Sequence, residues 1–230
     1  MGSSGKRHLS IAKHFFSKAD IRVVSREPPR DTVFSGHFST VEESLEFLPE
    51  LCVVSGPSSF HISQAKLLVP LGTHLLIEKP FSDRLEGVTE LIYQARKQQV
   101  TLMIGYNLRF LESLQKFREL IQEDYVGQVY TVTCEAGQDL RSWRSNTNYE
   151  NTVSANKELG GGVLLELSHE IDYLSWIFGP IQKVFANLSK RSNLRIDVEY
   201  SALLTLQFTP DMDADAIGGA VNLITKNAFD

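Results

Sequence analysis

With 230 residues, 42% of them hydrophobic, the chain can bury a substantial core and is long enough for one large or two small domains. A formal charge of -5 gives no net basic field for nucleic acid, and no apolar stretch reaches the roughly 18 residues that a membrane-crossing helix needs. The two cysteines, Cys52 and Cys134, lack metal-ligand spacing and are too few for a disulfide framework, so the expectation is a cytoplasmic protein with buried, reduced thiols and no metal.

The chain opens Met1-Gly2-Ser3-Ser4-Gly5-Lys6-Arg7-His8, ahead of a helix predicted over residues 7–17. Glycine and serine at a helix start let backbone N-H groups approach a pyrophosphate, which makes Gly2, Ser3, Ser4, Gly5, Arg7 and His8 candidate cofactor contacts. The same residues also read as a Gly-Ser leader. Short apolar runs at residues 21–25, 51–55, 74–77 and 101–104 then alternate with helical patterns at 41–48, 59–71 and 85–99, the rhythm of a parallel sheet with crossover helices. Gly72 suits a helix C-terminal cap.

Ligands of open α/β sheets bind outside the carboxyl ends of the strands, so the residues following each run are the candidates for chemistry. The first run ends Val24-Ser25-Arg26-Glu27, where Ser25 and Arg26 would meet an adenosine ribose. An arginine there tolerates the extra phosphate of NADP and favours it over NAD, unless Arg26 is simply a solvated charge. Gly56-Pro57-Ser58-Ser59-Phe60-His61 follows the second run, with Ser58 as a candidate helix N-cap and His61 either touching the cofactor or finishing the first helical turn. Glu78-Lys79-Pro80 closes the third. An ammonium at the end of a buried strand is costly unless paired or used, so Lys79 is a candidate proton donor or acceptor, with a Glu-Lys surface pair as the plainer alternative.

After Gly105 the pattern changes to an amphipathic helix over 108–121, a strand over 128–135 and a polar loop over 143–156, and a second domain begins. Gly160 to Asp172 opens a helix predicted over 162–178. At about 100° per residue, Leu167, Ile171, Leu174 and Phe178 form one stripe and Glu166, His169 and Asp172 lie opposite it. Leu165, Tyr173 and Trp176 share that opposite side, so it is covered, and three ionisable groups on a covered face are a site candidate. The plainer alternative is a surface helix on which His169 and Asp172 pair at i,i+3. Strands at 181–187 and 200–208 suggest a sheet backed by helices.

On the residues Gly5-Lys6-Arg7-His8, Glu78-Lys79-Pro80, Gly105-Tyr106-Asn107-Leu108-Arg109-Phe110 and Gly160 to Asp172, the chain resembles the Gfo/Idh/MocA oxidoreductases from Gly2 to about Phe208. The resemblance implies an α/β fold. A Rossmann-like dinucleotide-binding domain over 1–106 would be followed by an incomplete α/β domain, open sheet plus helices, over 107–208 that forms a substrate floor and often an oligomer interface. It also implies hydride transfer between NAD(P) and a sugar, cyclitol or related polyol. Lys79 would be the catalytic lysine, His169 its acid/base partner, Asp172 the carboxylate that orients the histidine, and Glu166 would stand where many members have aspartate. Glu78 would lie beside the cofactor, and Tyr106, Arg109, Trp143 and Arg144 would join His169 in lining the substrate side.

Three departures accompany the resemblance. The family's first strand and first fingerprint glycine are missing, which would leave two strand edges unpaired in the middle of the parallel sheet. Members are usually longer. Residues 209–230 leave the family pattern and instead resemble a plug segment of TonB-dependent receptors, so an atypical tail is expected. The rival reading is an inactive truncated fragment that at most binds a sugar or assembles with another chain.

Overall fold

The computed structural model describes residues 1–29, 34–143, 148–190, 194–209 and 220–225. The chain falls into two units, Met1–Gly105 and Tyr106–Asp230.

In the first unit, helix α1 (Ser3–Phe15) leads to strand β1 (Arg22–Val24), which pairs in parallel with a short strand, β2 (Gly36–Phe38), that periodicity did not reveal. Strand β3 (Leu51–Val54), helix α2 (His61–Leu68), strand β4 (His74–Ile77), helix α3 (Val88–Lys97) and strand β5 (Leu102–Ile104) follow. The expected parallel sheet is present in two parts, a β1-β2 pair and a three-stranded β3-β4-β5 sheet. β4 is central in the latter, with Leu75 and Ile77 fully buried, because helices cover it and strands flank it. α2 and α3 contribute Ile62, Ala65, Leu68, Leu91 and Ala95 to the same core.

Two predicted helices change form. Residues Glu42–Phe47 are a 3-10 helix rather than an α-helix. The Thr40 hydroxyl accepts from Glu43 N at 3.3 Å while the Glu43 carboxylate accepts from Ser39 N at 2.8 Å, a reciprocal cap that opens this short turn. α3 begins at Val88 instead of residue 85 because Gly87, at φ 75°, cannot continue a right-handed helix. Gly72 is in the left-handed conformation expected of a cap.

The second unit holds helix α4 (Glu112–Gln122), strand β6 (Thr131–Ala136), and short helices α5 (Leu140–Trp143) and α6 (Val163–Glu166). Helix α7 (Ser168–Phe178) and strands β7 (Ile181–Ser189), β8 (Ser201–Phe208) and β9 (Ala220–Thr225) complete it. The sheet order is β6-β9-β8-β7, with β9 parallel to β6 and antiparallel to β8. Ala220–Thr225, within the segment expected to be an atypical tail, supplies an interior strand of this sheet. α7 packs Leu174 and Ile171 against Leu204, Leu206 and Phe208 of β8, whose alternate residues face away from this core.

The single helix predicted over 162–178 is also corrected. The backbone leaves the helical region at Leu167 (φ -97°, ψ 30°), so α6 and α7 are separate and one helical wheel does not span Glu166 and His169.

Candidate functional site

Strands β3, β4 and β5 run in parallel, so their carboxyl ends share one edge of the sheet. The ladder at that edge extends one residue past β4, with Glu78 N donating to Val54 O at 2.8 Å and Gly105 N to Ile77 O at 2.8 Å. Lys79 is thus the first residue beyond the ladder. It is half-buried and joined to Pro80 by a cis peptide bond.

The preceding carboxylate is committed to the protein itself. Glu78 Oε1 lies 2.6 Å from His8 Nε2 and 3.5 Å from Arg7 Nη2, while Oε2 accepts from Lys79 N at 3.3 Å. Glu78, His8 and Arg7, each expected beside a cofactor, hold one another. Gly105 makes room for this carboxylate, since a Cβ there would lie 3.1 Å from Glu78 Oε2.

α1 starts from Gly2, whose extended backbone carries no side chain, so no N-cap side chain serves the first-turn N-H groups of Ser3, Ser4 and Gly5. Gly5 is packed closely: a Cβ would sit 2.7 Å from Met1 Cγ and 3.2 Å from Ser55 Oγ, just past β3. An uncapped helix start at a sheet's carboxyl edge fits the pyrophosphate of a dinucleotide, which takes its hydrogen bonds from backbone N-H groups.

The remaining edge residues are distributed differently from expectation. Ser58 is not an N-cap: it is already the first residue of a 3-10 turn, and Pro57, extended at ψ 142°, occupies the cap position. The His61 ring is 1% exposed, with Nε2 3.0 Å from Gly56 O and Nδ1 3.0 Å from Pro80 O, which leaves no ring nitrogen for a cofactor. Ser25 donates its hydroxyl to Glu27 O at 2.7 Å and accepts at its carbonyl from His37 Nε2 at 2.8 Å, fixing the turn beyond β1 that carries the exposed Arg26.

In the second unit the Gly160 to Asp172 segment gathers several partners. Asp172, whose carboxylate is 9% exposed, takes a two-pronged ion pair from Arg109 at 2.8 and 2.5 Å. Arg109 is thereby held more firmly protonated, and Asp172 directs both oxygens to it. The Tyr106 ring meets the His169 ring edge-on at 5.6 Å, and burial pushes the Tyr106 phenol above the ordinary range. Glu166 accepts from Ser154 Oγ at 2.7 Å. Arg118 lies 4.5 Å and Arg109 5.9 Å from the Trp176 ring, one turn along α7 from Asp172. Trp143 ends α5, and Arg144 lies outside the described residues.

Sequence reasoning did not find Glu199, Ser154 or His37. Glu199 accepts from Leu164 N at 3.3 Å at the start of α6 and approaches Gly162 so closely that a Cβ there would lie 2.4 Å from its Oε1. The run of glycines was the available signal, because a residue without a side chain marks close approach. Among the described residues no helix is long and apolar enough to cross a membrane, and no three His, Cys, Asp or Glu side chains are grouped to hold a metal ion.

A parallel α/β unit that leaves a helix start open at its carboxyl edge, followed by an open mixed sheet backed by one main helix, places the chain in the class of Rossmann-fold oxidoreductases. It belongs to the Gfo/Idh/MocA family. Residues 1–106 match the family model described as an oxidoreductase family with an NAD-binding Rossmann fold, and residues 114–219 match the GFO/IDH/MocA C-terminal domain. The second match takes in the first part of the segment expected to be an atypical tail.

The uncharacterized oxidoreductase sll0816 of Synechocystis sp. is 36% identical over 137 residues, 59% of this chain and 36% of that protein. The D-glucoside 3-dehydrogenase of Escherichia coli is 28% identical over 135 residues, 57% of this chain and 36% of that protein. The chain thus matches about a third of the length of these relatives. The WlbA dehydrogenase of Bordetella pertussis, solved in complex with NADH and UDP-GlcNAcA, shares the fold with a TM-score of 0.81 at 21% identity, covering 99% of this chain and 65% of that one.

Proposed function

We propose that the chain carries the nicotinamide-binding and acid/base parts of an NAD(P)-dependent oxidoreductase that moves a hydride to or from a sugar, cyclitol or related polyol. The observation that carries this reading is the position of Lys79, the first residue past the central strand's ladder, on the same edge as the open start of α1. NADH in the WlbA complex and the sugar chemistry named for D-glucoside 3-dehydrogenase support the cofactor and substrate classes.

When bound, the cofactor supplies the hydride donor or acceptor. The first-turn N-H groups of Ser3, Ser4 and Gly5 would hold its pyrophosphate. Ser25 and Arg26 would meet the adenosine ribose, and Arg26 would accept the additional phosphate of NADP, so NADP is slightly favoured. Lys79 relays the proton of the reacting hydroxyl and His169 is its acid/base partner. Tyr106, in edge contact with His169, limits the ring's orientation, and the Arg109-Asp172 pair fixes the helix that carries it. Trp143 and Arg144 would join Tyr106 on the substrate side. A homo-oligomer is the proposed assembly and the cytoplasm the proposed location.

Titration of the chain with NADPH and NADH, followed by nicotinamide fluorescence and then by turnover against a panel of sugars and cyclitols, tests this. Saturable binding and cofactor-dependent oxidation of one panel member are expected. No saturable signal with either cofactor overturns the reading.

A further inference from the structure

His61 was singled out by its place after β3, and its environment poses a chemical question. Its ring is 1% exposed and bridges two segments of the sheet edge, Nε2 facing Gly56 O and Nδ1 facing Pro80 O, both at 3.0 Å. Both partners are backbone carbonyl oxygens, which only accept hydrogen bonds. A neutral imidazole has one N-H. It would satisfy one carbonyl and set a ring lone pair against the other, and burial excludes the water that could relieve the mismatch. An imidazolium donates to both, in charge-assisted hydrogen bonds.

We propose that His61 is held as an imidazolium, a buried cation that ties the Gly56 segment to the Lys79-Pro80 turn and thereby positions Lys79. The bridging runs through backbone atoms on either side of the proposed chemistry: Gly56 ends the turn after β3, and Pro80 is the residue bonded to Lys79. His61 is a positioning residue in this account and touches neither cofactor nor substrate. Only its service to Lys79 rests on the function proposed above; the charge and the bridge do not.

The test uses the whole chain labelled with 15N at its six histidines. Long-range 1H-15N spectra at neutral pH are expected to show both His61 nitrogens as protonated N-H types. Couplings across the two hydrogen bonds to the carbonyl carbons of Gly56 and Pro80 identify the ring without any substitution. A bare, pyridine-type nitrogen at His61 overturns the proposal. For the positioning part, lysines are dimethylated with 13C-formaldehyde and the Lys79 resonance, identified by its loss in Lys79→Arg, is compared with that in His61→Gln. A shifted Lys79 signal is expected, and an unchanged one overturns the positioning. If the wild-type chain bound neither NADH nor NADPH, the proposed function would fail while the nitrogen spectrum still decided the state of His61.

Discussion

The Glu78 carboxylate meets the His8 imidazole at 2.6 Å, joining the second turn of α1 to the last rung of the central ladder. The two residues lie 70 positions apart, and Arg7 reaches the same oxygen at 3.5 Å. Through this contact the helix start proposed to hold pyrophosphate and the segment that presents Lys79 are fixed to each other. Glu78→Gln keeps the shape and removes the charge. It is expected to destabilise the protein by about 1 kcal/mol in urea unfolding and to weaken NADH binding several-fold, because the carboxylate side chain is only 13% exposed and an amide oxygen in its place accepts from His8 without charge assistance. Unchanged stability and affinity would show that the contact is incidental.

Lys79→Met is expected to lower turnover by about 10²-fold to 10⁴-fold, the range general acid/base groups supply, while the Kd for NADH stays within about twofold. Stopped-flow and fluorescence titration separate the two. Retained turnover would make the lysine structural.

Arg109→Lys preserves the charge opposite Asp172 but not the planar fork that makes two bonds with its carboxylate. Asp172 is nearly enclosed while Arg109 is 42% exposed, so solvent moderates the effect. The expected loss is about 1 to 2 kcal/mol, and Arg109→Met should lose more because it leaves an enclosed carboxylate without a cation. Equal stability of the two variants in urea unfolding would contradict this account.

A methyl group at position 161 has nowhere to go. A Cβ on Gly161 would lie 2.3 Å from Val153 O and 2.8 Å from both Asn156 O and Ser154 O, all backbone atoms that do not swing aside. Gly161→Ala should therefore cost about 3 kcal/mol in thermal unfolding, in line with overpacking of a tight site, whereas Gly2→Ala, with open space around it, should cost little. Comparable melting temperatures for the two would refute the contrast.

Burial pushes the Cys52 thiol from an ordinary 9.0 up to about 11. In that window the unfolded chain releases a proton that the folded chain still holds. Stability consequently falls as pH rises through it, by about 3 kcal/mol at the upper end, and is undiminished on this account below it. Urea midpoints measured across the window should decline in the wild type and decline less in Cys52→Ala.

Much of this was legible because period and punctuation are local. The strand at His74–Ile77, the left-handed Gly72 and the core stripe through Ile171, Leu174 and Phe178 follow from residues within a few positions of each other. What was missed depends on partners distant in sequence. The break at Leu167 accompanies contacts that Glu199 and Ser154 make with the turn and helix ahead of it, and no wheel drawn from 162–178 contains them. Ala220–Thr225 looked foreign as a sequence but pairs on both sides, because a strand's place depends on the edges available to its backbone as well as on its side chains.

By itself, then, the sequence determined the alternation of strands and helices, the edge on which Glu78, Lys79 and His61 lie, and the family these motifs point to. Tertiary structure decided what each side chain does there: Glu78 turned to His8, Asp172 to Arg109, and His61 set between two carbonyls. The physical reason is that backbone periodicity is encoded over a few neighbouring residues. The partner of a buried polar group, by contrast, is settled only when packing excludes water and brings remote acceptors within 3 Å or so.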